Sequence, residues 1–380
     1  MKYRRLGRTG FNVSEIGIGL EHLFKEEESV VIESIRAAIE GGVNYFDCFS
    51  IKDFEKSSDT NVDFEILGKA IEGKRDKLYL NFLVNSLHNA DETDVSLGCF
   101  LKEVKTDYVD MLMIACCDKM TEIERLIGEN SLSAHAQKLQ AQGKVKYIGL
   151  STHSTSVTLK AIESGVFDVL MYPVNPAFDV LTNEDDYIED DIAKLWDSAH
   201  DYKTDEKAGA PRKDMFIECG KADVGLVAMK PYAAAWLFKP EINTGFTPVN
   251  LLSYALSQNN VATIVPGVSN PQHVRDMLAY NTASDAERDF SRAVAQSRWS
   301  ARGNCLYCNH CLPCKAGIDI GETNRLTDNA GKIDHSTLAE KYAALPAKAS
   351  SCVKCGECVK RCPFEVDVMG KLKQAVEIFE

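Results

Sequence analysis

Eight of the thirteen cysteines in this 380-residue chain lie between residues 305 and 362. Cysteine thiolates at short, regular spacing bind iron–sulfur clusters or zinc, so this region carries the clearest chemical signal. The later of two runs consists of Cys352, Cys355, Cys358 and Cys362, followed by Pro363. Its C-x2-C-x2-C-x3-C-P spacing is the bacterial pattern for a [4Fe–4S] cluster, in which the cysteine before the proline reaches a second cluster.

An earlier run of four cysteines has a similar spacing, with two residues rather than three before its last cysteine and Lys315 in place of the proline. The segment CKAGIDI after it matches CPFEVDV after the later run, so the two segments form an internal repeat. With crossed ligands, the repeat predicts two [4Fe–4S] clusters. One would be held by Cys305, Cys308, Cys311 and Cys362, and the other by Cys352, Cys355, Cys358 and Cys314.

Two zinc sites are the alternative interpretation, because zinc is also held by four thiolates. Structural zinc sites usually combine two separate C-x2-C pairs, whereas each run here is a string of four cysteines and the later one ends in Cys-Pro. The spacing therefore favours two [4Fe–4S] clusters over zinc. The shorter spacing before Cys314 leaves the fourth ligand of each cluster open.

Composition and charge restrict the partners that the chain can have. Lysine and arginine total 43 against 56 acidic residues, which gives a formal net charge of −13. This excess argues against a nucleic-acid-binding surface, which must neutralise phosphates. No stretch approaches the roughly 20 apolar residues of a membrane helix, and residues 1–20 lack the apolar core of a signal peptide. We therefore expect a cytoplasmic protein with no membrane span and with cysteines outside disulfides.

Eight short apolar runs precede the cysteine region, and amphipathic segments separate them. The runs are continuous rather than alternating, which is typical of parallel strands buried on both faces. Eight strand–helix units predict a (β/α)8 barrel. An open doubly wound sheet is less favoured, because no glycine-rich dinucleotide motif follows the first strand. The expected strands lie at 15–20, 44–49, 78–85, 109–116, 147–152, 169–175, 225–231 and 261–267.

The sequence predicts a barrel over residues 1–285, a connecting segment over 286–300 and a small cysteine-rich domain over 301–380. Residues 180–222 form an oversized polar connection after the sixth strand, on the face where barrel active sites lie. We expect this connection to be a solvated insertion, with a lid or a partner contact as the alternative.

The chain resembles the aldo/keto reductases, specifically their branch with a C-terminal ferredoxin-like domain, over nearly its whole length. The segments that carry the resemblance are MKYRRLGRTGFNVSEIGIG, NYFDC, GKVKYIGLSTHS, GLVAMKP and VPGVSNPQHV, in the family's order. The resemblance implies an α/β fold, with a (β/α)8 TIM barrel followed by a small α-helical ferredoxin-like iron–sulfur domain.

In that family a nicotinamide cofactor gives hydride to a carbonyl. A tyrosine tuned by a lysine and an aspartate donates the proton, and a histidine orients the substrate. Asp47 matches the aspartate, but Lys52, Leu83 and Ala115 stand where the tyrosine, lysine and histidine are expected. Lys52 could replace the tyrosine if burial lowered its pKa. The alternative is an ion pair between Lys52 and Asp47.

The cofactor pocket implied by the resemblance is incomplete. Met171 and Val174 occupy the positions of the glutamine and tyrosine that flank the nicotinamide ring, so an NADP(H) site stays open. His153, at the end of the fifth strand, is expected either to orient a substrate or to bond its own loop. The residues that would bind a cofactor or an anionic group are Ser151, Asn175, Lys230, Gly267, Ser269 and Arg275.

These observations predict an iron–sulfur oxidoreductase that passes electrons through two [4Fe–4S] clusters to or from a small molecule at the barrel mouth. A ferredoxin-like electron-transfer protein is the expected outside partner. One alternative is an NAD(P)H-dependent carbonyl reductase with Lys52 as a rearranged proton donor. The other is a non-catalytic electron-transfer or scaffold subunit.

Overall fold

A ring of eight parallel strands forms the centre of the structure, a computed structural model that describes residues 1–56, 58–180, 210–299 and 302–380. Each strand pairs with the next one along the chain. Parallel bridges from Ile16 to Ile264 and from Gly19 to Gly267 close the ring. The strands are β3 (Ile18–Gly19), β4 (Tyr45–Asp47), β5 (Tyr79–Asn85), β6 (Val109–Ala115), β7 (Val145–Ser151), β8 (Val169–Pro173), β9 (Gly225–Met229) and β10 (Val261–Val265), after a hairpin of β1 (Tyr3–Arg5) and β2 (Asn12–Ser14).

The predicted (β/α)8 barrel is confirmed, because each of the eight strands overlaps the apolar run in which it was expected. Helices follow the strands and pack their apolar faces against the ring. Local sequence fixes their ends; the side chain of Asn89, for example, accepts a hydrogen bond from the backbone N–H of Glu92 and caps α4. The helices of this part are α1 (Glu28–Glu40), α2 (Ile51–Glu55), α3 (Val62–Ala70), α4 (Ala90–Val104), α5 (Met120–Leu126), α6 (Leu132–Ala141), α7 (Thr155–Ser164), α8 (Ala210–Lys221), α9 (Pro248–Ser257) and α10 (Pro271–Leu278).

Side chains fill the interior of the barrel. Met111, Met113, Met171 and Met229 are buried there, and residues of the β1–β2 hairpin cover the amino-terminal end of the ring. A packed interior leaves the carboxyl-terminal face of the ring as the place for chemistry.

The long connection predicted at 180–222 lies mostly outside the described residues. Its last part forms α8, in which Phe216 and Cys219 are buried. Short 3-10 helices complete the irregular parts of the chain at Gly7–Thr9, Leu23–Lys25, Arg75–Lys77, Phe178–Val180, Trp236–Phe238, Ala279–Thr282 and Ala349–Ser351.

The C-terminal part is helical and follows two short helices, α11 (Asp285–Arg288) and α12 (Ser291–Gln296). It contains α13 (Ile320–Asp328), α14 (His335–Ala343), α15 (Glu357–Arg361) and α16 (Val368–Phe379). Helices α13 and α16 pack against each other. Within the described parts of the chain, no helix is long and apolar enough to cross a membrane.

The sequence repeat of the cysteine region is also a repeat of backbone conformation. Asp319 caps α13 and Asp367 caps α16, each by accepting a hydrogen bond from the backbone three residues later. Equivalent positions of the two cysteine loops have a left-handed backbone: Tyr307 and Lys354, Asn309 and Gly356, and Gly317 and Glu365. Left-handed conformations are costly for residues other than glycine, so their recurrence indicates that both loops need the same path.

Candidate functional site

Charged and polar side chains gather at the carboxyl-terminal ends of the barrel strands. Asp47 ends β4, Asp118 follows β6, His153 follows β7 and Lys230 follows β9. Because the strands are parallel, these positions meet at one face of the ring, which we call the barrel mouth.

A hydrogen-bonded chain of three side chains crosses the barrel mouth. His153 Nδ1 lies 3.1 Å from Asp118 Oδ2, and His153 Nε2 lies 2.8 Å from Lys230 Nζ. A lysine ammonium can only donate, so Nε2 of the neutral ring accepts and Nδ1 donates to the carboxylate. The backbone N–H of His153 and the hydroxyl of Thr152 also donate to Asp118 Oδ1, which fixes the orientation of the carboxylate.

Burial and charge set the protonation of this chain. Burial lowers the pKa of Lys230. Burial also lowers the pKa of His153, and the charge of Lys230 adds to that effect while Asp118 opposes it. Burial raises the pKa of Asp118, but the hydrogen bonds that it accepts from His153 and Thr152 outweigh it and hold that pKa below its usual value. The arrangement is thus a carboxylate, a neutral imidazole and an ammonium whose proton is held less tightly than usual.

Asn175 positions Lys230. Its amide Nδ2 donates to the carbonyl of Lys230 at 2.9 Å, and its Oδ1 accepts from the backbone of Ala177 and Phe178. Lys230 has a left-handed backbone with φ of 52°, so this contact stabilises an unfavourable conformation. Because Oδ1 of Asn175 already accepts two backbone hydrogen bonds, binding a carboxamide through this oxygen would require breaking one of them.

The other residues expected to bind a cofactor or an anionic group are Ser151 and the loop residues Gly267, Ser269 and Arg275, which we call the phosphate loop. The Ser151 hydroxyl is buried and lies 4.0 Å from the sulfur of Met229. Gly267 bridges to Gly19 at the closing seam of the ring. Ser269 precedes α10, and Arg275 is exposed on that helix with its guanidinium bonded to Gln272. The structure therefore brings His153 and Lys230 together but places the phosphate-loop residues in a separate group around α10.

Asp47 has an amide partner instead of the expected lysine. Asn81 on β5 donates from Nδ2 to Asp47 Oδ1 at 2.9 Å. Burial raises the pKa of Asp47 to about 7, and the hydrogen bond from Asn81 partly offsets that rise.

The prediction of an ion pair between Lys52 and Asp47 is wrong. Lys52 Nζ instead binds Asp63 Oδ1 at 2.7 Å, because the side chain of Lys52 leaves α2 toward the start of α3. Its side chain is 56% exposed, so Lys52 also lacks the burial on which the expected proton-donor role depended.

Two members of this mouth were missed from the sequence. Asn81 lies inside an apolar strand run, and a single amide in such a run does not by itself indicate a contact with Asp47. Asp118 follows the pair Cys116–Cys117, just past the end of the fourth apolar run. An acidic residue just past a barrel strand was the available signal for Asp118.

The eight C-terminal cysteines surround two cavities. The first cavity is lined by Cys305, Cys308 and Cys311 of the earlier run and by Cys362 of the later run. The second is lined by Cys352, Cys355 and Cys358 of the later run and by Cys314, with Cys311 reaching this cavity as well. Among the described residues, no group of three or more His, Cys, Asp or Glu side chains is arranged to hold a metal ion. The two [4Fe–4S] clusters therefore stay a prediction.

Hydrogen-bond donors point at these cysteines. The amide of Asn324 lies 3.4 Å from Cys305 Sγ, and the backbone N–H of Lys354 lies 3.4 Å from Cys352 Sγ. Lys213 donates to the carbonyl of Cys305, and Arg361 donates to the carbonyl of Cys311. Burial raises the pKa of Cys308 to about 11, so without a bound cation this thiol is neutral and a poor nucleophile.

We predict that Asp47→Asn stabilises the protein more at pH 8 than at pH 5. The pKa of Asp47 in the folded protein is about 7, above the ordinary value of 3.8. The free energy of unfolding therefore falls as the pH rises through this range, because the carboxyl ionises more readily in the unfolded chain. Asparagine does not ionise, so it avoids this loss of stability, which reaches about 4 kcal/mol above pH 7. Its side-chain oxygen can still accept the hydrogen bond from Asn81. Thermal unfolding midpoints at the two pH values measure the difference.

The control is Asp223→Asn. Arg5 lowers the pKa of exposed Asp223, so this change should cause no stabilisation that grows between pH 5 and pH 8. An equal shift of the Asp47→Asn midpoint at both pH values would contradict the raised pKa.

We predict that Lys230→Met raises the pKa of His153, because it removes a positive charge 2.8 Å from Nε2. Asp118→Asn should lower the same pKa, because it removes the opposing negative charge. Titration of 13C-labelled histidine by NMR measures both, with the signal assigned through its loss in His153→Gln. The exposed Lys221→Met on α8 is the control, and an unchanged His153 pKa in Lys230→Met would refute the contact.

Comparisons with known proteins agree with the barrel. Residues 15–187 match the family described as the aldo/keto reductase family. The chain is 30% identical over 175 residues to the aldo-keto reductase YhdN of Bacillus subtilis, covering 40% of this chain and 48% of that protein. It is 26% identical over 187 residues to the uncharacterized oxidoreductase YqkF of the same organism, covering 45% and 56%. The chain thus spans about half the length of the curated relatives it matches.

Solved structures share the fold over a longer part of the chain. The holo aldo-keto reductase AKR11C1 of Bacillus halodurans aligns with a TM-score of 0.53 and 18% identity, over 76% of this chain and 94% of that one. An aldo-keto reductase of Klebsiella pneumoniae in complex with NADPH aligns with a TM-score of 0.51 and 16% identity, over 74% and 90%. Residues 15–187 therefore match the aldo/keto reductase family, whose members are oxidoreductases, and the barrel has the fold of solved members of that family.

Proposed function

We propose that this chain is an iron–sulfur oxidoreductase that exchanges electrons, one at a time, between an outside carrier and a small molecule at the barrel mouth. The observation that carries the proposal is the crossed grouping of the cysteines around two cavities, with ligands for each cavity drawn from both runs. When bound, [4Fe–4S] clusters supply one-electron transfer.

The residues around the two cavities suit cubane clusters better than single zinc ions. A zinc site draws its four sulfurs to within roughly 4 Å of one another, because each lies about 2.3 Å from the metal. A cubane is larger and needs its ligands spread around a space, and the cysteines of each set line one cavity. The amide of Asn324 and the backbone of Lys354 donate to sulfur, as surroundings that tune a cluster do.

The two cysteine sets differ in their distance from the barrel. Beside the first set, Lys213 of α8 bonds the Cys305 carbonyl, and Leu306 lines a cavity together with Asp179 and Tyr254 of the barrel. In the second set, Cys355 is exposed. This order supports a path that begins outside at the second set and ends beside the barrel at the first set.

The chain from Asp118 to Lys230 is our candidate for proton delivery at the barrel mouth. Lys230 would donate an N–H proton to a substrate oxygen that gains negative charge, and its lowered pKa suits that task. His153 would hold the Lys230 ammonium in place for that transfer, because its Nε2 accepts a hydrogen bond from Lys230 and its Nδ1 donates one to the Asp118 carboxylate. Solvent at the barrel mouth would then return a proton to Lys230.

A nicotinamide-dependent carbonyl reductase is the second candidate, and the family match favours it. The solved Klebsiella pneumoniae relative binds NADPH, and this chain retains Ser151 and the loop of Gly267, Ser269 and Arg275. In such an enzyme the proton donor would be Lys230 rather than Lys52, because Lys52 is exposed and bound to Asp63.

We expect about eight iron atoms and eight sulfides per chain in protein purified without oxygen. Cys308→Ser and Cys362→Ser should weaken the same cluster signal in electron paramagnetic resonance, because both residues line the first cavity. Cys355→Ser should weaken the other signal, because it lines the second cavity.

Cys116→Ser controls for the loss of an exposed thiol outside both runs and should keep both signals. If Cys362→Ser behaves like Cys355→Ser, the ligands are not crossed. Zinc in place of iron would overturn the proposal.

We expect that NADPH and NADH leave the oxidised clusters unchanged, while dithionite bleaches them. The reason is that both polar ends of Asn175 bond the backbone, and that Met171 and Val174, which by the resemblance replace the residues flanking the nicotinamide ring, are buried. An anaerobic titration that follows cluster absorbance and nucleotide fluorescence is the measurement. Bleaching by NADPH would mean that nicotinamide, and not an outside carrier protein, donates the electrons, and it would favour the second candidate.

A further inference from the structure

The surface over the second cysteine cavity combines exposed apolar and basic side chains. Val353 and Val359 lie next to Cys352 and Cys358 and are 64% and 41% exposed, although valine is usually buried. Exposed Cys355 lies between them in the sequence. We call this surface the outer rim and define it by Lys315, Val353, Lys354, Val359 and Lys360, all of which are exposed.

The charge of the outer rim is opposite to that of the chain. The charged residues that line the second cavity or lie between the cysteines of the later run are four cations and one carboxylate: Lys315, Lys354, Lys360, Arg361 and Glu357. Lys360 Nζ binds Glu357 at 3.2 Å, and the nearby cations hold the pKa of Glu357 below its usual value. A local excess of positive charge on a chain of net charge −13 points to a negatively charged partner.

We propose that the outer rim is the docking surface for a small acidic protein that carries one electron at a time. The inference rests on the proposed function, since only a redox centre at the second cavity gives such a carrier a reason to dock there. The valines supply a small apolar centre beside Cys355, and the lysines supply a charged border, which is the usual composition of a transient protein interface. The border steers the acidic carrier toward the one exposed cysteine of the set.

An acidic carrier fits this surface better than a second copy of the chain. Another copy would present the same basic rim, and like charges facing each other oppose association. The rest of a copy is acidic overall, but a transient electron-transfer contact needs two redox centres close together. Only contact between two rims would bring exposed Cys355 of each copy close together.

The test measures reduction of oxidised, cluster-loaded protein by a pre-reduced acidic [2Fe–2S] ferredoxin in an anaerobic stopped-flow instrument. We expect the second-order rate constant to fall steeply as salt rises, because screening weakens steering. The double variant Lys315→Glu with Lys360→Glu should lower that constant at low salt by about tenfold or more. The double variant Lys315→Arg with Lys360→Arg should keep the wild-type rate.

Lys373→Glu is the matched control, because Lys373 is 79% exposed on α16 and lies outside the rim. It should change the rate constant less than about twofold. Iron content and bleaching by dithionite are checked in every variant, so loss of a cluster is separated from loss of docking. Val353→Ser with Val359→Ser should weaken ferredoxin saturation while the salt dependence persists.

Wild-type protein without iron would overturn the proposed function. Intact clusters with a rate that ignores both salt and the lysine-to-glutamate changes would overturn only the docking surface. Dimerisation of the protein that the two valine changes abolish would assign the rim to a second copy and would also overturn the docking proposal.

Discussion

The closed ring of parallel strands is the constraint on which the barrel mouth depends. Because every strand runs in the same direction, residues far apart in sequence emerge beside one another at a single face. His153 lies 35 residues from Asp118 and 77 from Lys230, yet the three form one hydrogen-bonded chain. The strands are buried on both sides, and the three ionisable groups of this hydrogen-bonded chain lie just after the strand ends.

A second constraint acts in the C-terminal part, where each cavity is completed by a cysteine from the other run. Cys362 joins the earlier run and Cys314 joins the later run, so neither loop can form its cavity alone. The packed pair α13 and α16 holds these loops together, and the paired left-handed residues give both loops the same path. Repeat, helix packing and cysteine grouping are therefore parts of one arrangement.

Continuous apolar runs and cysteine spacing were the parts of this molecule that sequence could predict, because each follows from local periodicity. All eight strands overlap the expected runs, and the crossed cysteine grouping follows the repeat. The partner of Lys52 could not be predicted in this way. Whether that long side chain turns to Asp47 or to Asp63 depends on how α2 leaves the strand and where α3 begins. The role of Asp118 likewise depends on the ring bringing β6 beside β7.

The changes at the barrel mouth are physically linked. With Leu83 in place of the lysine that the family resemblance implies, Asp47 has no cation in hydrogen-bond contact among the residues that the structure describes, and burial raises its pKa. The neutral amide of Asn81 suits a carboxyl that is protonated for much of the time near pH 7. By the resemblance, a tyrosine at position 52 would depend on a lysine at position 83, where this chain has Leu83. The positive charge is instead held across the mouth by Lys230, where Asp118 balances it through His153. In the function that we propose, the proton donor therefore lies on the side of β6, β7 and β9 rather than at position 52 beside β4.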